Sequence, residues 1–201
     1  MSKKILVFDF DGPIVDSLDA AYAVARKISP ALSLENYKAR FLQNIFVATD
    51  AAPEPKDETI SFDAEYAIQI KALDLHPGKK DALALLAEQY DFHIISGAKS
   101  DTICEYLQRH QVDHFFFDVL GGDVEKSKVK RFKMLCDKYS IEPKDIVFVT
   151  DTVGDLHEAF EVGVGTTIAV CDGFQARELL EAQNPTFVVD SIMDIPQLLL
   201  N

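Results

Sequence analysis

The chain has 201 residues, 48% of them apolar and 26% charged, with a formal net charge of −13 and a sequence pI near 4.7. That length buries one sizeable core plus a modest insertion, and the composition excludes fibrous and disordered classes. The acidic balance argues against nucleic-acid or anionic-membrane partners, which select basic surfaces, but leaves room for a small anion held by local cations, backbone amides or a metal.

Ile5 to Phe10 reads as a strand, because Asp9 and Asp11 interrupt the apolar run where a signal peptide would continue. Ser17 is placed to cap a helix running to Pro30, the proline- and acid-rich stretch Thr49 to Thr59 has the composition of an exposed loop, and Ala64 to Leu75 reads as a second helix. Pro77 to Tyr90 follows as a helix, with Ala82, Leu83, Leu86 and Tyr90 at helical spacing and Pro77 in its first turn. Beyond it, strands at Phe92 to Ser96, Phe115 to Val119, Ile146 to Thr150, Thr166 to Val170 and Phe187 to Val189 alternate with helices over Ser100 to His110 and Val129 to Tyr139 and one beginning near Leu156. The alternation predicts an α/β fold with a mainly parallel central sheet flanked by helices.

The gap of about 80 residues between the first two strands far exceeds an ordinary βα connection. Residues 18–75 are therefore predicted to form a small helical subdomain inserted into a core of residues 1–17 and 76–201. No apolar run is long enough to cross a membrane. Cys104, Cys136 and Cys171 are odd in number and widely spaced, which suits reduced thiols in a cytoplasmic protein better than a disulfide framework or a CxxC metal site.

Chemistry concentrates where the predicted strands end. Asp9 and Asp11 in KKILVFDFDGPIVDS, Ser96 in FHIISG and Asp151 in IVFVTDTVGDLHEA all follow apolar strands, and the carboxyl edge of an open α/β sheet is where ligands bind. One carboxylate can attack phosphorus while a second protonates the leaving oxygen and later deprotonates water. The Ser96 hydroxyl and the amides of Gly97 and Ala98 are placed to hold a phosphate oxygen, and Lys128, or Lys126, is placed to neutralise phosphate charge. The six cations from Lys126 to Lys138 otherwise read as a solvated helix face. Asp9, the Asp11 carbonyl and Asp151 form a hard oxygen set suited to Mg²⁺, and Asp155 is placed to ligate through water, to orient Asp151 or to cap the following helix.

This ordered set resembles the haloacid dehalogenase-like superfamily, in particular its phosphatase branch with a helical cap after the first strand. FDFDGPIVDS is similar to its first motif, IISG to its second, the Lys126 to Lys128 region to its third and VTDTVGDLHEA to its fourth. The resemblance implies a Rossmann-like core, a phospho-aspartyl intermediate on Asp9, Asp11 as general acid and base, and Mg²⁺ at Asp9, Asp11 and Asp151. It also implies a small phosphorylated metabolite as substrate, with Arg26, Lys27, Tyr37 and Arg40 as candidate cap contacts. An acid at Asp11 points away from carbon–halogen cleavage. Pro13 and a third motif without its usual lysine–proline pair depart from the common pattern. A sugar phosphomutase shares these motifs, and a phospho-acceptor receiver domain shares their chemistry on a shorter chain without a cap.

Overall fold

The apolar runs become strands buried from both sides. In a computed structural model that describes residues 4–46 and 57–200, β1 (Lys4–Phe8), β2 (Tyr90–Ile95), β3 (Phe116–Leu120), β4 (Ile146–Thr150), β5 (Thr166–Val170) and β6 (Phe187–Val189) pair in parallel in the order β3-β2-β1-β4-β5-β6. Side chains alternate across each strand. Leu6 and Phe8 of β1 therefore join a core cluster with Leu83, Ile103 and Tyr106 on one face. Ile5 and Val7 join Phe132, Leu135 and Ala159 on the other. Burial on both sides is what a sheet with helices over each face requires, and the α/β expectation holds.

The helices are α1 (Leu18–Ile28), α2 (Leu34–Ala39), α3 (Phe62–Ile70), α4 (Pro77–Leu86), α5 (Ser100–Arg109), α6 (Lys128–Tyr139), α7 (Val153–Val162), α8 (Arg177–Glu181) and α9 (Ile195–Leu199). All described regular structure between β1 and α4 is helical, and its buried Ala21, Ala25, Tyr37 and Tyr66 belong to the same apolar cluster as Phe8 and Phe10. Residues 49–56 of the predicted loop at Thr49 to Thr59 lie outside the described residues.

Several boundaries move for physical reasons. Tyr90, expected to end a helix, opens β2 instead because it pairs with Lys4. The first strand is shorter than its apolar run: β1 stops at Phe8 rather than Phe10, and the chain turns, with the Gly12 N–H donating to the Val15 carbonyl at 2.8 Å. The strand expected at Phe115 to Val119 runs from Phe116 to Leu120 and lies at the sheet edge, where Phe117 is 61% exposed. The α7 helix starts at Val153 rather than near Leu156, with Thr152 as its cap accepting from the Asp155 amide.

His93 on β2 is fully buried, and desolvation lowers its pKa against the pull of Asp118, whose Oδ2 lies 3.5 Å from Nδ1. A histidine held neutral contributes stability that is complete above its unfolded pKa near 6.5 and is lost as pH falls from there through the folded value. Denaturant titrations from pH 7.5 to 5.5 should show the wild type losing up to about 1.4 kcal/mol per pH unit more than His93→Gln. Equal pH slopes for the two proteins would refute this assignment.

Candidate active site

The strands that end in polar residues are adjacent. β2, β1 and β4 lie side by side, so Ser96, Asp9 and Asp151, each immediately after its strand, form a row at the carboxyl edge. The strand order reverses direction beside β1, which opens a crevice there. A cavity of about 330 Å³ lies over this row, with Tyr37, Arg40, Phe41 and Phe62 from the helical insertion facing Asp9, Asp11 and Ser96.

Asp9 is 6% exposed. Its Oδ1 accepts from the Phe10 amide at 2.7 Å and its Oδ2 from Lys128 Nζ at 2.8 Å. Lys128 Nζ also donates to Asp155 Oδ2 at 2.6 Å, and Thr150 Oγ1 donates to that same oxygen at 2.8 Å. Burial pushes the Asp9 carboxyl well above the usual range, against Lys128 and reinforced by Asp155 and Asp151. Burial also opposes the charge on Lys128, but Asp155 and Asp9 overcome it and hold the ammonium above its ordinary pKa. Asp155 runs the other way: despite burial, Lys128 and its hydrogen bonds hold it below the usual range.

Of the two candidate lysines, Lys128 therefore meets Asp9, whereas Lys126 is exposed and sits 4.3 Å from the centre of the Phe46 ring. Asp155 neither caps α7 nor stands free; it is an ion-pair partner of Lys128.

Asp11 faces a different environment. Ser17 Oγ donates to its Oδ1 at 2.5 Å, and the Tyr66 hydroxyl from α3 donates to the same oxygen. Burial raises its pKa while these two donors act against the rise. Ser17 occupies the cap position of α1 yet makes no capping bond, its hydroxyl being spent on Asp11.

Asp151 is fully buried, and burial pushes its pKa up to about 8. Its Oδ2 accepts from the Phe174 amide at 2.6 Å, while Oδ1 has no hydrogen-bond partner. Backbone presses on it from two sides: a Cβ at Gly12, where φ is +87°, or at Gly173 would lie 2.1 Å from Asp151 Oδ2. Only glycine leaves room for the carboxylate there.

Among the described residues, no three carboxylate, imidazole or thiol side chains converge into a ready-made metal cage. Mg²⁺ does not require one, because it keeps several waters and takes one or two carboxylates. The bare, buried Asp151 Oδ1 beside a crowd of carboxylates with a single shared ammonium has the donor chemistry of such a site.

Ser96 is fully buried, with its Oγ accepting from the Ala98 amide at 3.3 Å, and both Ser96 and Gly97 line the cavity. Of the candidate cap contacts, Tyr37 and Arg40 line the cavity, but Lys27 pairs with Glu65 at 2.6 Å and Arg26 donates to the Pro30 carbonyl. Lys79, not singled out from sequence, is buried and donates to the carbonyls of Gly12 and Pro13 at 3.0 and 2.9 Å, pinning the loop behind the acid pair. Arg131, read as part of a solvated helix face, is fully buried beneath the site.

The family profile described as haloacid dehalogenase-like hydrolase matches residues 6–170. The chain is 26% identical to the phosphoglycolate phosphatase of Vibrio parahaemolyticus over 96% of this chain and 94% of that protein. It is 28% identical to that of Aliivibrio fischeri over 93% and 92%. A haloacid dehalogenase-like hydrolase structure from Streptococcus pneumoniae superposes with a TM-score of 0.74 at 21% identity, covering 98% of each chain. With the profile spanning most of its length and the strand-end acids at the sheet's carboxyl edge, the chain belongs to the haloacid dehalogenase-like hydrolase family.

Proposed function

We propose that this hydrolase is a Mg²⁺-dependent phosphatase that cleaves a small phosphomonoester through a phospho-aspartyl intermediate on Asp9. The observation that carries the reading is the difference between its two neighbouring acids: Asp9 is held by Lys128 and a backbone amide, while Asp11 is held by two hydroxyls that occupy one oxygen only. One acid is thus oriented as a nucleophile. The other keeps Oδ2 for proton transfer, with burial favouring its protonated form.

An Asp9 oxygen attacks phosphorus and the ester P–O bond breaks, with Asp11 delivering its proton to the departing oxygen. Water then attacks the phospho-aspartate, giving a proton to Asp11, and orthophosphate leaves as the Asp9 carboxylate is restored. Lys128, the Ser96 hydroxyl and the Gly97 amide hold the phosphoryl oxygens. The Asp9 and Asp151 carboxylates with the Asp11 carbonyl would hold Mg²⁺, with Asp155 acting through water or through Lys128. When bound, the metal supplies positive charge against both the carboxylates and the phosphoryl oxygens.

Residues 18–75 serve as a cap over a core of 1–17 and 76–201, and Tyr37 and Arg40 contribute to substrate recognition. The full-length similarity to phosphoglycolate phosphatases supports a small phosphorylated metabolite as substrate. Three free cysteines suit a reducing, cytoplasmic setting.

A panel of phosphorylated metabolites, assayed for both orthophosphate and isomerised product, tests the reading. Orthophosphate release that is lost with EDTA and restored by Mg²⁺ is the expected result. Isomer without free phosphate would replace the phosphatase with a mutase, and EDTA-resistant release would remove the metal.

A further inference from the structure

The α6 helix carries two buried cations one turn apart, Lys128 and Arg131, at 5% and 0% exposure. They are occupied differently. Lys128 has three donors, and Asp9 and Asp155 already take two of them. Arg131 has five. Its Nη1 serves two backbone carbonyls at the ends of neighbouring strands, those of Ser96 and of Leu120, the latter at 2.9 Å. Its Nε and Nη2 have no hydrogen-bond partner, although the side chain lines the cavity that holds Asp9.

A buried guanidinium with one edge unpaired is costly, and native structures seldom leave such groups without a ligand. Carboxylates do not fill the role here: Asp155, Asp9, Glu158 and Glu125 act on Arg131 through space, but none of them is bonded to it. The free edge, formed by Nε and Nη2, is the side of the fork that receives two oxygens of one tetrahedral or planar anion. Its bond to the Ser96 carbonyl, beside the Asp9 row at the strand ends, selects the phosphoryl group over the remainder of the substrate.

We propose that Arg131 is a phosphate-binding residue, its Nε and Nη2 donating to two oxygens of the transferring phosphoryl group beside Lys128 and Ser96. This assignment rests on the phosphatase reading. It gives the site a cation with vacant donors where the lysine is largely spent. It also links the anion to the Ser96 loop, because the same guanidinium grips the Ser96 carbonyl from below.

The test uses the Mg²⁺-loaded full chain and orthophosphate, the product, as probe. In ¹⁵N-resolved NMR of the wild type, the Arg131 Nε–H signal, identified by its loss in Arg131→Lys, should shift on titration with orthophosphate and saturate at the Kd that calorimetry gives. Arg131→Lys keeps the charge but not the fork, and should weaken orthophosphate binding about 10- to 100-fold. Saturable binding that leaves the Nε–H signal unmoved would overturn the assignment even if the variant proved unstable. Unchanged affinity in a folded Arg131→Lys protein would overturn it as well. A wild type that neither binds orthophosphate nor hydrolyses any phosphoester would instead remove the phosphatase reading and the assignment with it.

Discussion

Asp9→Asn should lower orthophosphate release by at least about 10⁴-fold, roughly 5.5 kcal/mol of transition-state stabilisation, and should leave no phosphate on the protein after an acid quench. Asparagine is nearly isosteric, so the change removes the nucleophile without opening a cavity. The fold should not suffer. Asp9 is a buried carboxyl whose pKa is raised by desolvation and by neighbouring acids. A raised folded pKa means that stability is present below the unfolded value near 3.9 and is lost as pH rises through the folded value. At neutral pH the metal-free Asp9→Asn protein should therefore melt no lower than the wild type. Low activity together with an unimpaired melting temperature separates a chemical role from a structural one. Hydrolysis within about tenfold of wild type would mean that water attacks phosphorus directly, with Asp9 serving only to bind.

The parts of this site that were legible in the sequence share one cause. A parallel strand covered on both faces must be continuously apolar, so Ile146 to Thr150 and Thr166 to Val170 stand out, and a polar residue at the end of such a run is conspicuous. Asp9, Ser96 and Asp151 were visible for that reason. What the pattern could not supply was who meets whom across the chain. Lys79 reaches the Gly12 carbonyl from 67 residues away, and Tyr66 reaches Asp11 from 55 residues away. Neither approach leaves a local trace, because each depends on how an element distant in sequence, α4 for Lys79 and α3 of the insertion for Tyr66, packs against the loop after β1. Ser17 misled through local logic: serine before a helix normally caps it, and here a buried carboxylate competes successfully for the hydroxyl.

Arg131 did leave a signal. Lys128, Arg131, Phe132 and Leu135 follow the i, i+3, i+4, i+7 stripe of a buried helix face, and all four are buried. The exposed and buried cations of α6 share a charge and differ only in helical phase. At the predicted strand Phe115 to Val119, the apolar run gives no sign of the exposure at Phe117. Strand order decides burial there, and β3 has a neighbour on one side only.

Asp11→Asn should separate the two halves of the reaction. In the first half the departing alkoxide of an ordinary phosphomonoester needs a proton, and loss of the general acid should cost about 10²- to 10⁴-fold in kcat. A nitrophenyl ester has a leaving group stable enough as its anion to depart unaided, so Asp9 should still be phosphorylated by it. In the second half water needs a base, and every substrate produces the same phospho-Asp9. The variant should therefore give a burst of about one nitrophenolate per chain followed by slow turnover, with phosphorylated protein accumulating. Ser17 and Tyr66 sharpen the comparison. Both donate to Asp11 Oδ1, so an asparagine that offers its carbonyl oxygen there keeps those bonds, and the missing function is proton transfer rather than geometry. Equal losses on alkyl and nitrophenyl esters, with no burst and no phosphorylated protein, would show that Asp11 acts by holding the site together and would place the acid and base elsewhere.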